Sequence, residues 1–139
     1  MEHKTGHLIK IIQEGMEKRA NNNLRQKDLT FMQMNVLVTL HFAKDEKMTM
    51  KELERKYGVA QSTISGIVNR LEQKGLVSSY YDPSDKRIKI VTIEKSGLKI
   101  LQEGYEDMLK SEAQLVHGFS EEEKKEFDRL LLKAWENIK

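Results

Sequence analysis

A mainly α-helical fold carrying one small β-hairpin is predicted by three observations. Apolar residues recur at three- and four-residue spacing over most of the chain, the period of helices that bury one face. A helix-start signal, Thr or Ser followed three residues later by Gln or Glu, stands at Thr30, Thr49 and Ser120. The stretch from Leu76 to Ile93 instead reads as two short strands around a turn that holds the chain's single proline. From Thr49 to Val91 the order is short helix, tight turn, longer helix, hairpin, which is a winged helix-turn-helix. Long amphipathic helices flank it on both sides. With 139 residues and 38% hydrophobic content, one domain with a modest core is expected. Its winged-helix lobe spans 30–93, and helices at 1–24 and 95–139 form a dimerisation region that holds two copies of the lobe a fixed distance apart.

The chain has no cysteine, which excludes disulfides, cysteine zinc sites and thiol redox sensing. No apolar run approaches the ~20 residues of a membrane span, and the start MEHKTGHLIK lacks a signal-peptide pattern. A cytoplasmic location with no membrane partner is expected. Net charge is only +2, but its distribution is uneven. Eight cationic and five acidic side chains lie between Thr49 and Val91, whereas seven cationic and ten acidic ones lie between Ser96 and Lys139. Positive charge therefore gathers on the winged segment, as contact with phosphates requires.

The first helix is expected over residues 3–24, with Leu8, Ile11, Ile12 and Met16 on one face and Asn21, Asn22 and Asn23 ending it. That stripe is narrow, which suits packing against a partner. His3 and His7 are four apart, a metal-ligand spacing, yet no third ligand is evident and no metal is expected. The second helix opens at Thr30, boxed with Gln33 and stapled by Leu29 and Met34, and stops near Lys44. His41 near its end is expected to be hydrogen-bonded only. The polar AKDEK run reads as a loop. Thr49 with Glu52 boxes the start of the third helix, and Gly58 supplies the positive φ of the turn that follows.

The fourth helix buries Ile64, Ile67, Val68 and Leu71. It leaves Gln61, Ser62, Thr63, Ser65, Gly66, Asn69, Arg70 and Gln73 outside. Surface helices usually crowd such positions with Glu and Lys. Short polar side chains let a helix approach base edges: Gln and Asn pair with adenine, Arg with guanine, Ser and Thr with several bases or a phosphate. Ala60 is a poor N-cap, which leaves the first N–H groups for a phosphate oxygen. Gly66 costs roughly 1 kcal/mol relative to Ala in mid-helix and hints at a close approach. The hairpin tip, Tyr81 to Arg87, ends in Lys86 and Arg87, with Lys89 beyond. A cationic tip beside a groove-reading helix reaches the flanking minor groove. Asp85 is expected to pair with an Arg or cap the turn, and Asp82 to shape it likewise. Ile88, Ile90 and Thr92 are placed on one face of the last strand, with Lys89, Val91 and Ile93 on the other.

The fifth helix is expected from Lys95 to about Val116, with Leu98, Leu101, Tyr105, Met108, Leu109 and Leu115 inward. The sixth starts at Ser120 with Glu123 and carries Phe127, Leu130, Leu131, Ala134, Trp135 and Ile138 at helical spacing. The stripes of the first and last helices suit a symmetric homodimer.

The run KGLV, then DPSDKR, then a strand, then a Gly opening a long helix resembles the MarR family of winged-helix repressors over nearly the whole chain. Asp82, Asp85 and Arg87 match its Asp-x-x-Asp-x-Arg wing signature. Three positions depart from its pattern: Ser84 and Ser79 stand where a basic residue is common, and Glu94 where a Thr usually precedes the fifth helix. The resemblance implies a dimeric repressor of a pseudo-palindromic operator in double-stranded DNA, relieved by a small aromatic or anionic effector. Met16, Met32, Met34, Phe42 and Tyr105 are candidates for lining the effector cleft, although core packing also explains them. Met108 and Glu112 occupy the place where a zinc-sensing relative would want histidines.

Enzyme readings lack their parts, with no Gly-rich phosphate loop, no G-x-S-x-G elbow and no carboxylate–histidine cluster. No cofactor is expected. The competing reading is a winged helix that binds proteins without DNA, against which the Gln-Ser-Thr helix start and the Lys86-Arg87 tip both argue.

Overall fold

The computed structural model describes residues 4–139. In chain order these form α1 (Thr5–Gln26), α2 (Phe31–Phe42), β1 (Lys47–Thr49), α3 (Met50–Tyr57), α4 (Gln61–Gln73), β2 (Val77–Asp82), β3 (Asp85–Ile93), α5 (Lys95–Leu115) and α6 (Glu121–Ile138). The expected helix start at residue 3, and His3 with it, lie outside the described residues. Two compact units result, Met1–Asp107 and Met108–Lys139.

Local start signals act where the sequence places them. The Thr30 hydroxyl accepts from the Gln33 N–H and the Gln33 side chain accepts from the Thr30 N–H, at 3.1 and 3.2 Å. Ser120 and Glu123 close the same reciprocal pair at 3.1 and 2.9 Å. Each box satisfies two N–H groups that the first helical turn otherwise orphans. At Thr49 only half of it forms: the hydroxyl accepts from the Glu52 N–H at 3.1 Å. Thr49 is also the last residue of β1, so its backbone serves a strand as well as a helix.

The core of the first unit is aliphatic. Val36, Leu37 and Leu40 of α2 meet Leu53 of α3, Ile64, Val68 and Leu71 of α4 and Val91 of β3, all without solvent exposure. Gly58 stands at φ 60° between α3 and α4, where a residue with a Cβ is disfavoured. Tyr57 beside it shares a 2.6 Å hydrogen bond with Thr39 of α2. On β3, Val91 and Ile93 are buried and Ile88, Ile90 and Thr92 half-buried on the other face, the expected alternation.

Three expectations are corrected. Asn21 to Asn23 do not end α1, which continues one turn to Gln26; asparagine disfavours a helix interior only weakly. The AKDEK run is not a plain loop. Lys44–Glu46 makes a tight turn with Asp45 and Glu46 at φ 57° and 55°, and β1 follows. The sheet is thus three-stranded and antiparallel, in the order β1-β3-β2, with Lys47 paired to Thr92 and Thr49 to Ile90. A three-residue strand carries too little alternation to read, and its partner lies far along the chain. Finally, Tyr105, Met108 and Leu109 do not point into a core of this chain: all three are exposed, Tyr105 at 54%. Of the expected inward set on α5, Leu98, Leu101 and Leu115 are half-buried.

His41 is hydrogen-bonded as expected, its Nδ1 lying 3.0 Å from a Glu46 carboxylate oxygen. In the second unit Phe119 and Phe127 stack edge to face with centroids 5.5 Å apart, and Leu130, Leu131, Trp135 and Ile138 are exposed.

The junction of α4, β2 and α5 is unusually close. The Leu76 carbonyl accepts from the Glu94 N–H at 2.9 Å, and the Ser96 hydroxyl donates to the Gly75 carbonyl at 2.5 Å. A Cβ on Gly97 would lie inside contact distance of that same Leu76 carbonyl and 2.8 Å from Ile93 Cγ1. Backbone cannot move aside cheaply, so Gly97→Ala is expected to lower unfolding free energy by about 1–3 kcal/mol, read by urea denaturation. A loss within 0.3 kcal/mol of zero, roughly the noise of additive surface changes, contradicts the close packing.

Candidate nucleic-acid interface

Burial of Ile64, Val68 and Leu71 fixes how α4 is turned. Gln61, Ser62, Thr63, Asn69 and Arg70 are exposed and Ser65 is half-buried. Ala60 has extended backbone and no side-chain cap. The Thr63 N–H turns back to the Ala60 carbonyl at 3.0 Å. Around Gly66 there is open space: a Cβ there would meet nothing within 4 Å, so any close approach at that glycine comes from outside the chain.

The wing tip is a two-residue connection, Pro83-Ser84, between Asp82 and Asp85. One Asp82 carboxylate oxygen accepts from both the N–H and the hydroxyl of Ser84, at 2.9 and 2.7 Å, a side-chain turn of the kind Asp forms readily. Asp85 holds Arg87 three ways, accepting from its N–H and Nε at 3.0 Å each and from Nη2 at 3.2 Å. Asp85 therefore both pairs with an Arg and stabilises the turn. These hydrogen bonds depress both acids. The Ser84 hydroxyl, then its N–H, lowers the Asp82 pKa. The Arg87 side chain, then its N–H, lowers that of Asp85, with a smaller contribution from the Lys51 charge. The Arg87 side chain remains 90% exposed, so the pair adds little stability in water. What it does is fix where the guanidinium sits. Ser79 donates to the Glu72 carboxylate, tying β2 to α4.

These parts converge on one cleft of about 760 Å³. Gln61 and Ser65 of α4 line it together with Arg87 and Lys89 of β3, with Lys51 and Arg55 of α3 contributing further cations. Lys51 and Arg55 are one helical turn apart, which puts them on one side of α3; their i,i+4 spacing was readable, but no role was assigned to them from the sequence. Ser62, Thr63, Asn69 and Lys86 are exposed without lining this cleft. Arg70 lines a different one, near the start of α2. The five proposed effector-cleft residues do not gather in either cleft. Met16, Met32 and Met34 are half-buried, Phe42 is 81% exposed, and Tyr105 is exposed. Met34 packs on the core. Among the described residues no group of three His, Asp or Glu side chains could hold a metal ion, and no helix is long and apolar enough to cross a membrane.

A sequence profile of the MarR family matches residues 27–88. An uncharacterised HTH-type transcriptional regulator of Bacillus subtilis, YwoH, is 32% identical over 133 residues, covering 94% of this chain and 95% of its own. Another from the same organism, YwaE, is 31% identical over 81 residues, 58% of this chain, and that match spans 47% of its length. Among solved structures, the S. aureus MepR–DNA complex has a TM-score of 0.83 at 26% identity, covering 96% of this chain and 99% of that one.

The wing carboxylates give a pH prediction. Both folded-state pKa values lie below the ordinary aspartate value of 3.8. Their contribution to wing order is therefore complete above that value and is lost as pH falls through the depressed pKa. Carboxyl titration by NMR is expected to place both midpoints below 3.8, and Arg87→Ala to bring Asp85 back up. An Asp85 midpoint indifferent to Arg87→Ala contradicts the tether.

Proposed function

Because the chain belongs to the MarR family of winged-helix transcriptional regulators, we propose that it is a homodimeric, sequence-specific DNA-binding repressor of a pseudo-palindromic operator. The observation that carries this reading is the shared lining of a single cleft by Gln61 and Ser65 with Arg87 and Lys89. A small polar helix start and a cationic hairpin brought together in one cleft are what a major groove and its flanking phosphates require. MepR, similar in fold, is known bound to DNA, which supports the same partner here.

In this reading α4 enters the major groove with Gln61, Ser62, Thr63, Ser65 and Asn69 toward base edges. Arg70, Lys86, Arg87 and Lys89 then meet phosphates or the adjacent minor groove. Dimerisation through residues 1–24 and 95–139 sets two α4 helices about one DNA turn, ~34 Å, apart. The exposed Ile11 and Ile12 of α1, Tyr105, Met108 and Leu109 of α5, and Leu130, Leu131, Trp135 and Ile138 of α6 supply apolar surface for it. Repression is relieved by a small aromatic or anionic compound that binds better to a form whose half-site spacing misfits the operator. Met16, Met32, Met34, Phe42 and Tyr105 remain the proposed lining of its site, in a cytoplasmic protein.

Titrating DNA binding against salt tests the reading, because phosphate contact gives a steep linear log–log slope. Arg87→Ala is expected to weaken binding about uniformly across sequences and to flatten that slope by about one unit per protomer. Ser65→Ala or Asn69→Ala is expected to change operator preference instead, by about 1–3 kcal/mol at the contacted base pair. Selection from a random duplex pool reads both effects along with half-site spacing. Wild-type binding with no salt dependence overturns the reading in favour of a protein-binding winged helix.

A further inference from the structure

At the end of α4 opposite Gln61, a second cleft of about 510 Å³ gathers cations from the ends of two helices, α1 and α4. Its walls include Arg25 in the last turn of α1, Asp28 and Thr30 before α2, Gln33 in the first turn of α2, and Arg70 and Lys74 at the end of α4. All of them lie in the first compact unit.

Part of this cleft is pre-set. Lys74 Nζ donates to the Asp28 carbonyl and, at 3.2 Å, to Gln33 Oε1. Gln33 is only 3% exposed, and its Oε1 also accepts from the Thr30 N–H. Both lone pairs of that oxygen are thus engaged, which leaves the amide NH₂, a donor only, as the polar atom Gln33 has to offer. The side chains of Arg25 and Arg70, by contrast, make no hydrogen bond or ion pair among the described residues. Three cations stand against one carboxylate, and that carboxylate, on the 98% exposed Asp28 side chain, is already 3.8 Å from Lys74 Nζ, so the charge left uncompensated is that of Arg25 and Arg70. Two guanidiniums with no partner line one cleft, and the planar fork of donors that each presents matches the oxygens of an oxyanion.

We propose that this cleft binds a phosphate group, held by Arg25 and Arg70 with Lys74 as the third cation. The phosphate comes either from the backbone of the DNA duplex or from a small phosphorylated molecule. In the first case the inference rests on the function proposed above. Residue 70 lies nine positions beyond residue 61, ~14 Å along the helix, and the major groove is ~12 Å wide. A helix whose first turn meets base edges then carries its last turns over the flanking strand. From either source, the anion joins the end of α1 to the end of α4.

The test compares full-length wild type, Arg25→Ala and the charge-conserving Arg25→Lys. Binding to a random-sequence duplex is measured against salt, and thermal stability is measured with inorganic phosphate at constant ionic strength. A backbone phosphate makes Arg25→Ala flatten the log–log slope by about one unit per protomer, with Arg25→Lys close to wild type. A free phosphate leaves the slope unchanged but raises the Tm of wild type and not that of Arg25→Ala. Absence of both effects overturns the inference. Failure of the wild type to show any salt-dependent DNA binding counts against the proposed function alone, and the thermal arm then decides this site.

Discussion

The structure depends on one constraint: α4 has to bury Ile64, Val68 and Leu71 against α2, α3 and β2. These three side chains recur at helical spacing, so burying them leaves the helix no rotational freedom. Which residues face outward is then not a separate choice. Loss of even one buried aliphatic side chain here costs on the order of 2–5 kcal/mol, more than any exposed hydrogen bond on the outer face returns. The polar face is therefore presented by the core, and the Asp82 and Asp85 turns at the wing only orient what lies beside it.

The same economy runs through the junctions. Gly75, Leu76, Glu94 and Ser96 exchange backbone and hydroxyl hydrogen bonds, and Lys74 reaches across to the α1–α2 connection. The part-buried ion pair of Lys27 with Asp107 links that connection to α5. Elements far apart in sequence are in this way fastened around the C-terminal end of one 13-residue helix.

How much of this could be read from the sequence depended on the range of the interaction. The boxes at Thr30 and Ser120 involve partners three residues apart, and both formed. So did the φ reversal at Gly58, the inward face of α4 and the pairing of Asp85 with Arg87, all local. Strand β1 escaped because Lys47–Thr49 owes its conformation to Ile90–Thr92, not to its own residues. Tyr105, Met108 and Leu109 were misplaced for a related reason: helical spacing says that a face is apolar, not what it meets. The cleft around Arg25 and Lys74 was illegible altogether, since it assembles three segments whose proximity no spacing reveals.

Gly97 has a mechanical consequence. With no side chain at that position, the first turn of α5 lies directly on the Leu76 carbonyl, and neighbouring hydrogen bonds prevent sliding. The angle at which α5 leaves the hairpin is therefore set by backbone packed on backbone, so a side chain of any size at residue 97 would have to re-aim the first turns of the helix before it could be accommodated.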